Sequence, residues 1–83
     1  MADRHAPYEP IGHRIRVFRE AADMTQAALA AECYVSQPAV SAWERGVKLP
    51  TTNTQRRIAD VLRTTRSVLF REVVLAEDRE AVA

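Results

Sequence analysis

Residues 25–46 read TQAALAAECYVSQPAVSAWERG. This stretch decides the fold, because two short helical runs meet in it across a very short link. Thr25 is a good N-cap, and Met24 before it can staple the chain to the first turn. Leu29 and Cys33 follow one turn apart, with small alanines between them. Alanine favours helix and lets a neighbouring helix approach closely. A second cap, Ser36, comes after only Tyr34 and Val35. Pro38 is tolerated in a first turn, where amides have no intrahelical partner. Gly46 supplies a left-handed end. The reading predicts helices over residues 26–33 and 37–45.

Outward from this pair, Ile11, Ile15, Phe18 and Ala22 fall at spacings of four, three and four. That period predicts an amphipathic helix over residues 10–21, opened by Pro10, with Arg14, Arg16 and Glu20 facing water. Past the loop at Leu49 and Pro50, Ile58, Val61 and Leu62 predict a helix over residues 54–62. Thr65 caps a last helix whose apolar positions are Val68, Leu69, Phe70, Val73, Val74 and Ala76. No segment predicts a sheet. The expected fold is all-α, a compact bundle of five short helices at residues 10–76. A flexible N-terminal arm precedes it at 1–9, and an acidic tail follows at 77–83.

A chain of 83 residues holds one domain and has little buried surface to give to a large cleft. Its 47% apolar and 28% charged content suits a folded globular domain. The net charge of +1 conceals an asymmetry. Residues 1–71 carry 11 basic and 7 acidic side chains, whereas residues 72–83 carry Arg79 against Glu72, Glu77, Asp78 and Glu80. A weakly positive body with an acidic end is compatible with nucleic-acid binding without showing it. The single cysteine excludes an intrachain disulfide framework and a multi-cysteine zinc site. Cys33, His5 and His13 form no nucleophile–base set, so neither enzyme chemistry, a metal nor a cofactor is expected. No run approaches the roughly 20 apolar residues of a membrane span, and residues 1–10 are too polar for a signal peptide. A cytoplasmic protein is expected.

Two capped helices joined by a short link form the pattern of a helix-turn-helix unit, whose second helix can enter a DNA major groove. The chain resembles the Xre/Cro/phage-repressor family of lambda-repressor-like DNA-binding domains. The segments that carry the resemblance are Ile11-Gly12 with Arg14-Ile15-Arg16, Thr25-Gln26 with Leu29-Ala30, and Val35-Ser36-Gln37. It continues through Val40-Ser41, Trp43-Glu44-Arg45-Gly46, Pro50, Ile58-Ala59, Leu62 and Leu69-Phe70, covering about residues 11–70. Family members often carry glycine where this chain has Asp23, Tyr34 and Arg63. At Tyr34 two outcomes are open: a positive φ at a backbone penalty of about 1 kcal/mol or more, or a reshaped turn.

Helical spacing sorts the third helix into two faces. Val40, Trp43 and Glu44 share the inward side, and the resemblance places Glu44 beside Arg19 as a structural ion pair. The opposite side presents Gln37, Pro38, Ser41, Ala42 and Arg45 as candidate base contacts. The Gln37 amide suits the N6 and N7 edge of adenine, while Pro38 and Ala42 suit thymine methyls. Gln37 matches the family's leading base-contact glutamine, which Gln26 braces in that family. Arg45 can reach a guanine or a phosphate. Candidate phosphate contacts are Thr25, Gln26, Ser36, Lys48 and Asn53, with Arg14 and Arg16 on the first helix. Thr25 and Ser36 can serve equally as plain caps.

The function expected from the resemblance is sequence-specific binding of double-stranded DNA by a transcriptional regulator, a repressor that occludes a promoter. A homodimer reading a palindrome requires a pairing surface, and Phe70, Val73 and Val74 are its candidates. Ordinary packing of the last helix explains Val73 and Val74 equally. The alternative is an antitoxin, or another interaction module, that requires a protein partner.

Overall fold

The computed structural model describes residues 6–82, which form six helices and, among those residues, no strand. They are α1 (Glu9–Ala21), α2 (Gln26–Glu32), α3 (Gln37–Glu44), α4 (Thr52–Val61), α5 (Arg66–Leu69) and α6 (Arg71–Val82). Most of the arm expected at residues 1–9 lies outside the described residues, and Glu9 already belongs to α1.

Four helix starts are fixed by one device. The hydroxyls of Thr25, Ser36, Thr51 and Thr65 each accept a hydrogen bond from the amide three residues on. Each satisfies one of the amides that a helix N-terminus leaves free. The cap at Thr51 starts α4 two residues earlier than expected, so Asn53 sits in the first turn of a helix.

Four helix ends share a device too. The amide of Met24 reaches back to the Arg19 carbonyl at 3.1 Å, Val35 to Ala30 at 3.0 Å, Val47 to Ala42 at 3.1 Å and Thr64 to Ala59 at 2.9 Å. Each closure needs a left-handed residue just before the donor. Gly46 supplies one at φ 77°, and Asp23, Tyr34 and Arg63 supply the others at 56°, 58° and 57°. The turn at Tyr34 therefore keeps the tight geometry and carries the strain, with the ring 84% exposed. The Arg57 guanidinium lies 5.2 Å from that ring's centre, and its Nε donates to the Glu32 carbonyl at 2.8 Å. Replacing exposed Arg63 by glycine removes the Cβ penalty, partly offset by a more flexible unfolded chain. The expected net gain is about 0.5–1 kcal/mol, read as a rise of roughly 2–8 °C in Tm. Tyr34→Gly is expected to gain less, because an exposed cation–π contact of about 0.5–1 kcal/mol is lost with it.

The core gathers Ile11 and Ile15 from α1, Leu29 and Ala30 from α2, Val40 and Trp43 from α3, and Ile58 and Ala59 from α4. Cys33, Leu62, Leu69 and Phe70 complete it from helix ends and α5. Helix α1 crosses α3 closely at Gly12, where an added Cβ would meet the carbonyl oxygens of Trp43 and Glu44.

The segment expected to be one last helix is divided. At Phe70 the chain leaves helical geometry (φ −115°, ψ 41°), and the ring is fully buried. Phe70 is therefore a core residue and not a dimer contact. The extra turn that swings its ring inward costs the continuity of the helix. Arg14 holds this corner: its Nη1 donates to the Leu69 carbonyl at 2.9 Å, and its Nη2 pairs with Glu72. Arg14 thus joins α1 to α5 and α6 rather than standing free for a phosphate. Residues 77–82, expected as a tail, continue α6.

A second clamp uses Gln55, a buried residue that the sequence reading did not single out. Its Nε2 donates to the Pro50 carbonyl at 2.8 Å, and its Oε1 accepts from Arg66 Nε at 2.8 Å. Arg66 also donates to Glu77. The position was legible in principle, since Gln55 precedes Ile58 and Ala59 by three and four residues on the inward face. Hydrogen bonds from Arg14 and Arg66 hold the Glu72 and Glu77 carboxyls below their ordinary value of 4.5. A carboxyl with a lowered folded-state pKa stabilises the fold above its unfolded value and loses that contribution as pH falls through the folded one. Acidification below about 4.5 is therefore expected to loosen α6 first. Hydrogen exchange at Val73–Ala76 should rise before exchange in α1–α4, and a uniform rise would contradict the clamps.

Candidate nucleic-acid interface

Helices α2 and α3 pack against each other across the Cys33–Ser36 turn, and α1 backs α3. Around this junction runs a chain of polar side chains. Arg19 Nε donates to Glu44 Oε2 at 2.6 Å, and its Nη2 donates to Glu44 Oε1 at 3.0 Å. Its remaining nitrogen, Nη1, donates to the Met24 carbonyl at 2.7 Å. Gln26 Nε2 donates to Glu44 Oε1 at 3.1 Å, and Gln37 Nε2 donates to Gln26 Oε1 at 2.6 Å. The order along the chain of contacts is Arg19, Glu44, Gln26, Gln37.

Burial falls from Glu44 outward. The Glu44 side chain is 4% exposed, Gln26 is half-buried and Gln37 is exposed. Glu44 raises the Arg19 guanidinium above its ordinary pKa, chiefly through their hydrogen bonds, so the cation is permanent here. The paired guanidinium lets a carboxylate sit inside the junction, where an unpaired charge would be costly.

Pro38, Arg45 and Lys48 are exposed, as are the caps Thr25 and Ser36, while Ser41 is half-buried. The cap hydroxyls accept from Ala28 and Ala39 and keep their own protons available to donate. Asn53 is exposed at the start of α4. Arg16 is exposed on α1 and pairs with Glu20.

Ala42 departs from the expected face: it is 8% exposed and unavailable as a base contact. The chain turns back after Gly46 so that the Val47 amide reaches the Ala42 carbonyl. Helical spacing alone pointed Ala42 outward, because it ignores what the following segment does. Val73 and Val74 are half-buried on α6, with Val73 packed against the core.

Elsewhere the chemistry is bland. Burial pushes the Cys33 thiol pKa up, which disfavours the reactive thiolate. Among the described residues, no three His, Cys, Asp or Glu side chains are placed to hold a metal ion. No helix among them is long and apolar enough to cross a membrane.

A family model described as a helix-turn-helix domain matches residues 10–69. The P22 c2 repressor in complex with a synthetic operator is 32% identical over 71% of this chain and 89% of its own, with a TM-score of 0.70. Hydroxypropylphosphonic acid epoxidase from S. wedmorenis is 31% identical with a TM-score of 0.69. That match covers 78% of this chain but 35% of the epoxidase, so the chain spans about a third of that enzyme's length. ClgR, the clp gene regulator of Corynebacterium glutamicum, is 24% identical over 90% of this chain and 80% of its own. Its TM-score of 0.72 is a likeness of fold alone. No curated protein matches the chain in sequence.

Proposed function

The chain belongs to the helix-turn-helix domain family, and from that premise we propose that it is a sequence-specific, double-stranded-DNA-binding regulator of transcription. In this reading it is a repressor that covers a promoter and performs no chemistry. The observation that carries the reading is the Gln26–Gln37 pair, an exposed amide held at the start of α3 by a brace from α2. An amide so placed suits the N7 and N6 edge of adenine in a major groove. Ser41 and Pro38 extend the base-reading edge, and Arg45 joins it at a guanine or a phosphate. Lys48, Asn53, Thr25, Ser36 and Arg16 supply phosphate contacts, which fix position and much of the affinity. The solved complex of the P22 c2 repressor with operator supports the same use of the fold here.

One α3 reads only a few base pairs. A homodimer paired through Val73 and Val74 of α6 reads a palindrome with half-sites about 10 base pairs apart. Selection of bound duplexes from a random pool, at moderate salt, tests the whole proposal. Recovery of one inverted repeat is the expected result. Gln37→Ala should then lower affinity by about 1–3 kcal/mol and relax preference at one position. Lys48→Ala should weaken all sequences alike and reduce the salt slope by about one. No enrichment by folded protein would end this reading.

A second reading, a module whose essential partner is a protein, draws on a cavity of about 440 Å³ between the start of α1 and α6. Pro7, Tyr8, Pro10, Val73 and Ala76 line it, with Glu80 beside them. That reading predicts a heterocomplex that survives high salt and fails on substitution in α6 rather than at Gln37.

A further inference from the structure

We infer that Glu44, which points away from the proposed DNA face, sets the base preference of Gln37 by fixing which way two amides turn. The inference rests on Gln37 as a base contact.

A carboxylate accepts hydrogen bonds and donates none, whereas a primary amide has a donor end and an acceptor end. Glu44 accepts two hydrogen bonds from the Arg19 guanidinium and is almost wholly buried. Gln26 can therefore meet Glu44 Oε1 only with its nitrogen. Turned over, the Gln26 amide would set oxygen against a buried carboxylate and leave its own nitrogen without that partner. With its nitrogen inward, Gln26 turns Oε1 toward Gln37, which answers with Nε2. One hydrogen of Gln37 Nε2 is thereby committed. The other hydrogen and Oε1 remain, a donor and an acceptor in a fixed order. Adenine presents the complementary acceptor N7 and donor N6, while guanine presents two acceptors, N7 and O6. A fixed order accepts adenine and sets Oε1 against guanine O6. An amide free to turn over still meets only one guanine acceptor, but it must be ordered anew to meet adenine, which weakens the preference. Glu44 is thus a positioning residue for recognition, acting through Gln26 at two removes from the base.

The test uses the full chain and the operator recovered by pool selection, with adenine or guanine at the base pair that Gln37→Ala relaxes. Wild-type protein is expected to prefer adenine by about 5- to 150-fold, the span of one good bidentate contact. Glu44→Gln offers Gln26 either an oxygen or a nitrogen, and the adenine preference should fall by about two- to threefold as the Gln37 amide loses its fixed order. Affinity for unrelated duplex should stay unchanged, which a purely structural loss would not allow. Gln26→Met keeps the Arg19–Glu44 pair and removes only the middle of the relay. It should give the same fall in preference even if Glu44→Gln folds poorly. In free protein, the Gln26 and Gln37 side-chain amide protons should exchange slowly, and Glu44→Gln or Gln26→Met should speed Gln37 exchange.

An adenine preference retained undiminished by both variants, while Gln37→Ala abolishes it, overturns the relay and leaves Gln37 as a reader. A preference that Gln37→Ala leaves intact at every position overturns both. Equal weakening on all duplexes, with the ratio unchanged, assigns Glu44 to folding alone and also overturns the relay.

Discussion

Arg19→Ala is expected to lower the thermal midpoint by roughly 12–40 °C, the largest effect of any single side-chain truncation outside the apolar core. The loss has a specific origin. Removing the guanidinium leaves the Glu44 carboxyl 4% exposed and without the three nitrogens of Arg19 that hold it and the Met24 carbonyl. Breaking one side of a buried pair costs about 3–5 kcal/mol, mostly because the surviving charge is stranded. The domain as a whole is expected to hold only about 4–12 kcal/mol. The exposed pair Arg16–Glu20 is the control: Arg16→Ala should cost about 1 kcal/mol or less. Replacing Arg19 and Glu44 together by methionine should recover most of the stability, since no charge is then stranded. Denaturant titrations of the four proteins check this. An Arg19→Ala loss no greater than that of Arg16→Ala would show that water reaches Glu44 freely.

Gly12→Ala is expected to cost at least about 3 kcal/mol, although alanine is the better helix former by about 1 kcal/mol. A Cβ at residue 12 would lie 2.4 Å from the Trp43 carbonyl oxygen and 2.6 Å from that of Glu44. Both obstacles are backbone at the end of α3, so no side chain can rotate away. Helix α1 must move off α3, which also pulls Arg19 away from Glu44. The clash therefore outweighs the propensity gain. The urea midpoint should fall with little change in m-value. A rise in midpoint would mean that α1 and α3 separate at small cost.

Local signals made most of the helices legible. Thr25, Ser36 and Thr65 each stand before an apolar period, and each proves to be a cap. The run Thr51-Thr52-Asn53-Thr54 offers several capping side chains at once, so α4 begins earlier than its apolar spacing indicated. The break at Phe70 was not legible, because it follows from burial of the ring and from the grip of Arg14, residues far apart in sequence. Ala42 and Arg14 show the same limit. Helical spacing tells which way a residue points from its own axis, and both are covered or engaged by segments beyond it. The Arg19–Glu44 and Gln26–Gln37 contacts entered through family resemblance. The middle link, Gln26 to Glu44, joins residues 18 apart through packing and had no signal in one dimension.

The three helix ends built on Asp23, Tyr34 and Arg63 have a consequence for how long the molecule lasts. Relative to glycine at the same places, they withhold together about 1–2 kcal/mol, most of it at Asp23 and Arg63. That raises the fraction of chains unfolded at any moment by roughly five- to thirtyfold. Proteases act on that fraction, so the cellular level of the protein depends on its rate of synthesis more closely than a glycine-ended counterpart's would.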